Sequence, residues 1–238
     1  MKGTRRLWRE ARAVAEAGGF SVHLDGRPVR LPGGGTLAIA TRGLAEAMAR
    51  EWESRPTGEL IRAEDIPLTR LAATAQVRMV PEKGPTVAAV AAYGKTDLLC
   101  YRAAAPEALV QLQEAAWQPW LEWAARELEA RLLVARGVMP LKQDEAALEA
   151  LHRAVAAAGP AALASLGLAV PALGSLVLGL ALVRGRLGPA EAAACAFLDE
   201  RFQAEMWGED REAAERREAV GAEIALAQRF VALAEEGA

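Results

Sequence analysis

The chain reads as an α+β protein, a small N-terminal antiparallel β-rich domain followed by a larger α-helical, orthogonal bundle. Phe20, Val22 and Leu24 alternate with Ser21 and His23, the period of a half-buried strand, and Asp25-Gly26 supplies a two-residue hairpin turn. From Pro67 onward, proline and glycine punctuate segments whose apolar residues recur at helical spacing. The uncharged run Ala154 to Val183 reads as a central helix that is hydrophobic all round.

In chain order, a first strand over Arg12 to Glu16 turns at Gly18-Gly19 into the Phe20–Leu24 strand, and Arg27 to Leu31 returns. Gly33-Gly34-Gly35 is a loop, and Thr36 to Ala40 a further short strand. Thr41 is placed to cap a helix from Arg42 to about Ser54 because its hydroxyl can accept from a free first-turn amide. Leu44, Met48, Glu51 and Trp52 follow its spacing, with Trp52 toward the sheet. Pro56 and Gly58 then break the chain, which divides it into a β-rich domain over 1–60 and a helical domain over 61–238.

Pro67 and Pro85 start two helices, ended by Pro81 and Gly94, and Leu98 to Tyr101 reads as a buried strand. Pro106 opens a long helix to about Arg131, with Pro119 inside it and Leu109, Leu112, Ala116, Trp117 and Trp120 on its apolar side. Trp117 and Trp120 share a face, with Trp123 directed partly elsewhere. Arg131 to Val138 is extended. Helices follow over Asp144–Ala158, Pro160–Arg184 (bent or broken at Pro171) and Pro189–Trp207, stopped by Gly208. Glu209 and Asp210 put negative charge at the positive start of a final helix, with Arg211–Glu215 and Glu212–Arg216 as i,i+4 pairs.

Composition narrows the function. The net charge of −3 lacks the basic excess of a general nucleic-acid binder. The arginines at 5, 6, 9 and 12 are interrupted by Glu10 and read as a solvated segment. Cys100 and Cys195 lie apart in apolar contexts, as buried free thiols of a reducing compartment do. With His23 and His152 in separate elements, no Cys/His cluster has metal-ligand spacing. His23, on the polar face of its strand, reads as solvated. No apolar core follows the early arginines, so no secretory signal is expected. The 154–183 run is long enough for a bilayer, which needs about 20 apolar residues. Pro160 and Pro171 divide it, however, and much of it is Ala and Gly, so membrane insertion is not expected.

Catalytic motifs are wanting. Gly94-Lys95-Thr96 looks like the end of a phosphate loop, but the first position of that motif is Ala89 and the residues between are apolar helix formers. No GxSxG elbow is present. Asp199-Glu200, Glu209-Asp210 and Glu235-Glu236 are adjacent pairs, which diverge by roughly 100° on a helix and cannot converge on one substrate. Glu205 borders the apolar stripe Leu198, Phe202 and Met206; there it either pairs with an arginine of the bundle, the usual fate of a partly buried acid, or contacts a partner. Asp97 either caps backbone amides or pairs with Arg70 or Arg102. Two classes stay open on residues alone: a protein-binding module, and a small-molecule-binding protein or enzyme without a recognisable motif.

Four segments carry a resemblance: LDGRPVRLP at Leu24–Pro32, PLTRLAATA at Pro67–Ala75, YGKTDLLCYR at Tyr93–Arg102 and LDERFQAEMWGED at Leu198–Asp210. Together, in this order and over Trp8 to Phe230, they resemble the assembly chaperones of the F-type ATP synthase catalytic head, the member that attends the α subunit. The resemblance implies a chaperone and not an enzyme. It keeps the free α subunit from aggregating until β subunits cover its apolar surface, without cofactor, metal or catalytic residue. It also implies a protein without membrane insertion, cytoplasmic in bacteria and in the mitochondrial matrix of eukaryotic relatives; a monomer is the default expectation, and the charge balance leaves no nucleic-acid partner expected. By motif it singles out Arg70, Asp97, Glu205, Trp207 and Asp210 as partner-binding, with Glu205 foremost, and Trp52 as structural.

Overall fold

The computed structural model describes residues 4–31, 34–137 and 141–236. Chain contacts divide it into two compact units, one of residues 1–83 with 160–164 and 229–238, the other of 84–159 with 165–228.

The first unit is built on a hairpin. Strands β2 (Ala11–Glu16) and β3 (Gly19–Leu24) pair antiparallel in full register, and β4 (Arg27–Pro28) returns along β3. Asp25 and Gly26 both take positive φ, 46° and 81°, as a tight hairpin turn requires. The strand expected over 36–40 is reduced to isolated bridges, Phe20 to Ile39 and Arg30 to Thr36. Gln76 holds this segment in place instead, accepting from Ala38 N at 2.9 Å and donating to Thr36 O at 3.1 Å. Part of the triple-glycine loop lies outside the described residues. A two-stranded sheet joins β1 (Thr4–Arg5) to β5 (Leu60–Ile61).

Helix α1 (Arg42–Trp52) starts where Thr41 Oγ1 accepts from Leu44 N at 3.3 Å, and it buries Leu44, Met48 and Trp52. Trp52 meets Trp8 edge-on, with ring centroids 5.5 Å apart. The boundary expected at residue 60 is not where contacts divide the chain. Helix α2 (Pro67–Thr74) belongs to the first unit because Glu51 of α1 caps it, accepting from Leu68 N at 2.6 Å and Thr69 N at 2.9 Å. A π turn over Ala75–Met79 extends α2.

The second unit begins with α3 (Gly84–Ala91), followed by 3-10 turns over Ala92–Thr96 and Leu98–Cys100. The buried strand expected at Leu98–Tyr101 is thus a turn, and only Tyr101–Arg102 (β6) is extended, pairing parallel with Ala135–Arg136 (β7). Residue 138, the expected end of that second extended segment, lies outside the described residues. Helix α4 (Glu107–Glu127) runs through Pro119. It buries Trp117 and Trp123 and leaves Leu112 exposed, so the expected apolar face is rotated; Trp123 packs edge-on against Trp120 at 6.4 Å.

Helix α5 (Glu145–Ala156) is capped by Asp144. The 160–184 segment forms α6 (Pro160–Leu173) and α7 (Leu176–Val183). The break falls at Gly174, not at Pro171: Gly174 takes φ 63°, and the Ser175 hydroxyl then caps α7 by accepting from Leu178 N at 3.1 Å. Likewise the expected 189–207 helix is two, α8 (Pro189–Ala196) and α9 (Leu198–Trp207), before α10 (Arg211–Glu235). No helix among the described residues is long and apolar enough to cross a membrane.

Candidate functional site

Helix α9 carries an apolar stripe whose burial fails along its length. Leu198 and Phe202 are half-buried, whereas Met206 is 63% and Trp207 79% exposed. Gly208, at φ 93°, ends the helix immediately afterwards, so Trp207 stands at a corner with no following turn to cover it. Asp210 starts α10 by accepting from Ala213 N at 2.9 Å, a carboxylate set on a helix N-terminus.

The acids around this corner are mostly spoken for. Asp199 accepts from Gln113 Nε2 at 2.7 Å. Glu200 pairs with Arg216 at 2.6 Å and Arg217 at 3.7 Å, and Glu209 pairs with Arg217 at 2.6 Å. Arg216 therefore reaches across to α9 and not to Glu212 as its helical spacing predicts. Glu205 on α9 is exposed, with no hydrogen bond or ion pair from its side chain among the described residues, as is Glu212 in the first turn of α10. The structural ion pair expected for Glu205 is not formed. The corner thus presents an indole, a thioether and an uncompensated carboxylate to solvent. That is the composition of a protein-contact patch, since exposed large apolar groups and aromatic anchors carry interface energy.

Asp97 is placed very differently. It is fully buried and pairs with neither Arg70 nor Arg102. Oδ1 accepts from Leu99 N at 3.1 Å and Ser175 Oγ at 2.7 Å, and Oδ2 accepts from Val177 N at 3.0 Å, which ties the Leu98–Cys100 turn to the start of α7. Burial pushes its carboxyl above the ordinary aspartate range, against the pull of those donors. Asp97 therefore cannot touch a partner directly. Arg102 donates to Leu99 O at 2.8 Å and to Glu114 at 3.1 Å, and lies 5.4 Å from the Trp117 ring centre. The thiols of Cys100 and Cys195 are buried and pushed up to about 12 and about 11, so both are protonated and unreactive at neutral pH.

Gly94 of the Gly-Lys-Thr segment serves packing. A Cβ there would lie 2.8 Å from Leu151 Cδ1. In the first unit, Arg70 is exposed on α2, and Trp52 is buried beneath Trp8, whose Nε1 donates to Trp52 O at 3.0 Å. Val77 and Val80 are also exposed there, three residues apart. His23 is not solvated but held by Ser21 Oγ at 2.9 Å and Glu16 Oε1 at 3.2 Å. The sequence offered no sign of the roles of Glu51 and Gln76, whose partners are distant in the chain, or of Glu16 holding His23 from the facing strand.

Residues 5–125 match the sequence model of the ATP12 chaperone protein family. The mitochondrial protein atp12 of Schizosaccharomyces pombe is 23% identical over 218 residues, 86% of this chain and 74% of the relative. The crystal structure of Atp12 from Paracoccus denitrificans superposes with a TM-score of 0.90 at 42% identity, covering 97% of this chain and 98% of that one. An Agrobacterium tumefaciens protein superposes at 0.88 with 35% identity, over 97% and 86% of the two chains. With a family match over half the chain and a homologous structure over nearly all of it, the chain belongs to the ATP12 chaperone protein family.

Proposed function

We propose that this chaperone of ATP synthase assembly holds the free α subunit of the catalytic head, and that the α9–α10 corner is where it does so. The observation that carries the reading is Glu205, Met206 and Trp207 standing exposed and unpaired while Asp199, Glu200, Glu209 and Asp210 beside them are engaged. A free subunit destined for a larger assembly exposes apolar area in proportion to the free energy its later burial releases. A Trp–Met patch covers such area, and the adjacent carboxylate favours a client face bearing Arg or Lys. Arg70 is a second contact, on the first unit. Asp210 acts by setting the direction of α10, and Asp97 and Trp52 act by holding the fold.

The activity is binding, with one chaperone chain per α subunit, and needs no turnover. Release follows mass action once β subunits offer a larger interface. We place it in the bacterial cytoplasm, the mitochondrial matrix being the corresponding compartment of eukaryotic relatives.

The test mixes the purified chain with isolated α subunit, without nucleotide, and follows light scattering and size exclusion. Suppressed scattering with a co-eluting complex is expected. Glu205→Lys is expected to keep its circular dichroism and lose protection. Full protection by that variant would remove the corner from the contact, and no complex with the wild type would overturn the client assignment.

A further inference from the structure

Strand β2 has an open edge. On β3, Phe20 exchanges hydrogen bonds with Ile39 at 2.8 Å each way, and Val22 O accepts from Val29 N at 2.8 Å, so these residues turn their amides away from β2. Ser21 and His23 therefore face β2, opposite Val14 and Arg12. Successive residues of an antiparallel strand direct their amides to opposite edges. Arg12, Val14 and Glu16 are thus satisfied by β3, and Ala11, Ala13 and Ala15 point outward. Ala11 N is taken by Glu53 Oε1 at 2.9 Å. The N–H and C=O groups of Ala13 and Ala15 have no partner among the described residues.

Edge strands are normally blunted by Pro, Lys or a bulge. β2 has none of these; it has two alanines flanking a valine. Its charges are also self-complementary about Val14, with Arg12 two residues before it and Glu16 two after. A second β2, laid antiparallel with Val14 on the two-fold axis, sets Arg12 of each copy opposite Glu16 of the other. Ala13 and Ala15 then form the hydrogen-bonded pairs, and opposite charges directly across such a ladder stabilise it. The Arg12 and Glu16 side chains are 71% and 44% exposed; Arg12 pairs with Glu10 of its own chain at the surface, an exposed pair that Glu16 of a second copy would have to displace or share. Ser21 and His23 both bind Glu16 Oε1, which leaves Oε2 free, and their hydrogen bonds hold the carboxyl below its ordinary range.

We propose that two copies of this chain pair through their β2 edges, antiparallel about Val14. The open stretch is three residues, far short of the roughly 1,000 Å² of a stable interface. Pairing is therefore transient, and it is tested by trapping.

In this register Val14 faces its own copy in a non-hydrogen-bonded pair, with Cα atoms about 4.5 Å apart. That lies within the roughly 4.4–6.8 Å that a disulfide spans. The full chain carrying Val14→Cys, mildly oxidised and run on a non-reducing gel, is expected to give a dimer. Ala13→Cys gives little, because residue 13 faces residue 15. Adding Arg12→Glu to Val14→Cys sets carboxylates against each other, and adding Glu16→Arg sets guanidiniums against each other. Each alone should lose the dimer several-fold, and mixing the two should restore it as a heterodimer, which also shows that both are folded. No dimer, a dimer indifferent to these charges, or a cross-link formed only with added α subunit would overturn the proposal.

Discussion

Truncating Trp207 to alanine separates binding from folding. A tryptophan side chain offers about 150–250 Å², and with 79% of Trp207 exposed a client could cover on the order of 120–200 Å² of it. At about 25 cal/mol per Å² this is roughly 3–5 kcal/mol as an upper bound, since the free chain already shields part of the ring. Hot-spot truncations fall at about 2–4 kcal/mol, so the expected loss is roughly 30- to 1,000-fold in Kd. Stability should stay within about 0.5 kcal/mol because the residue supports nothing inside the fold. The assay is titration of labelled chain with α subunit by fluorescence anisotropy, paired with urea unfolding followed by circular dichroism. An unchanged Kd would refute the contact. A Kd loss matched by a large fall in the urea midpoint would show that Trp207 acts through the fold instead.

Two further perturbations probe the frame behind the corner. Asp97→Ala leaves two buried N–H groups and the Ser175 hydroxyl without an acceptor, at about 1–3 kcal/mol each, so a loss of roughly 3–9 kcal/mol is expected in urea unfolding. A loss below about 1 kcal/mol would refute the bonding described. The same carboxyl has a pH signature: its folded pKa is raised, so the stability it adds is full below the unfolded value and lost as pH rises through the folded one. The wild type's margin over Asp97→Asn should therefore widen as pH falls toward the ordinary aspartate range, and a margin that narrows would contradict the burial argument. Gly179→Ala puts a Cβ 2.5 Å from Val170 Cγ2, where α7 packs on α6. Overpacking at about 1–3 kcal/mol should outweigh the roughly 0.5–1 kcal/mol gained in helix propensity, lowering Tm by scanning calorimetry; a raised Tm would show that the two helices part easily.

Features set by neighbouring residues were legible in the sequence. Asp25-Gly26 specifies its turn because two adjacent residues must take positive φ. Thr41 caps α1 with its own hydroxyl, and Gly208 ends α9, each by local geometry. Leu98 to Tyr101 reads as a strand because a short apolar run looks alike in strand and turn. What decides it is Asp97 reaching Ser175 and Val177, some eighty positions away. Pro171 signalled a break that fell three residues later. Where a helix ends depends on what can satisfy the next amides, and Gly174 with Ser175 does so.

The candidate site was legible by a different route. Periodicity places Met206 on the apolar side of α9, in line with Leu198 and Phe202, and so predicts it buried. The helix is longer than the surface it packs against, so the end of its stripe remains uncovered. Sequence records which residues share a face; it does not record where the opposing face stops. Glu205 follows the same logic, because its position at the edge of the stripe suited an ion pair, yet the α10 arginines that reach α9, Arg216 and Arg217, are drawn to Glu200 and Glu209. An apolar stripe that outruns its own core, beside an acid that its own arginines pass over, is a pattern that a second protein completes, and that mismatch is the physical reason to look for the client at the α9–α10 corner.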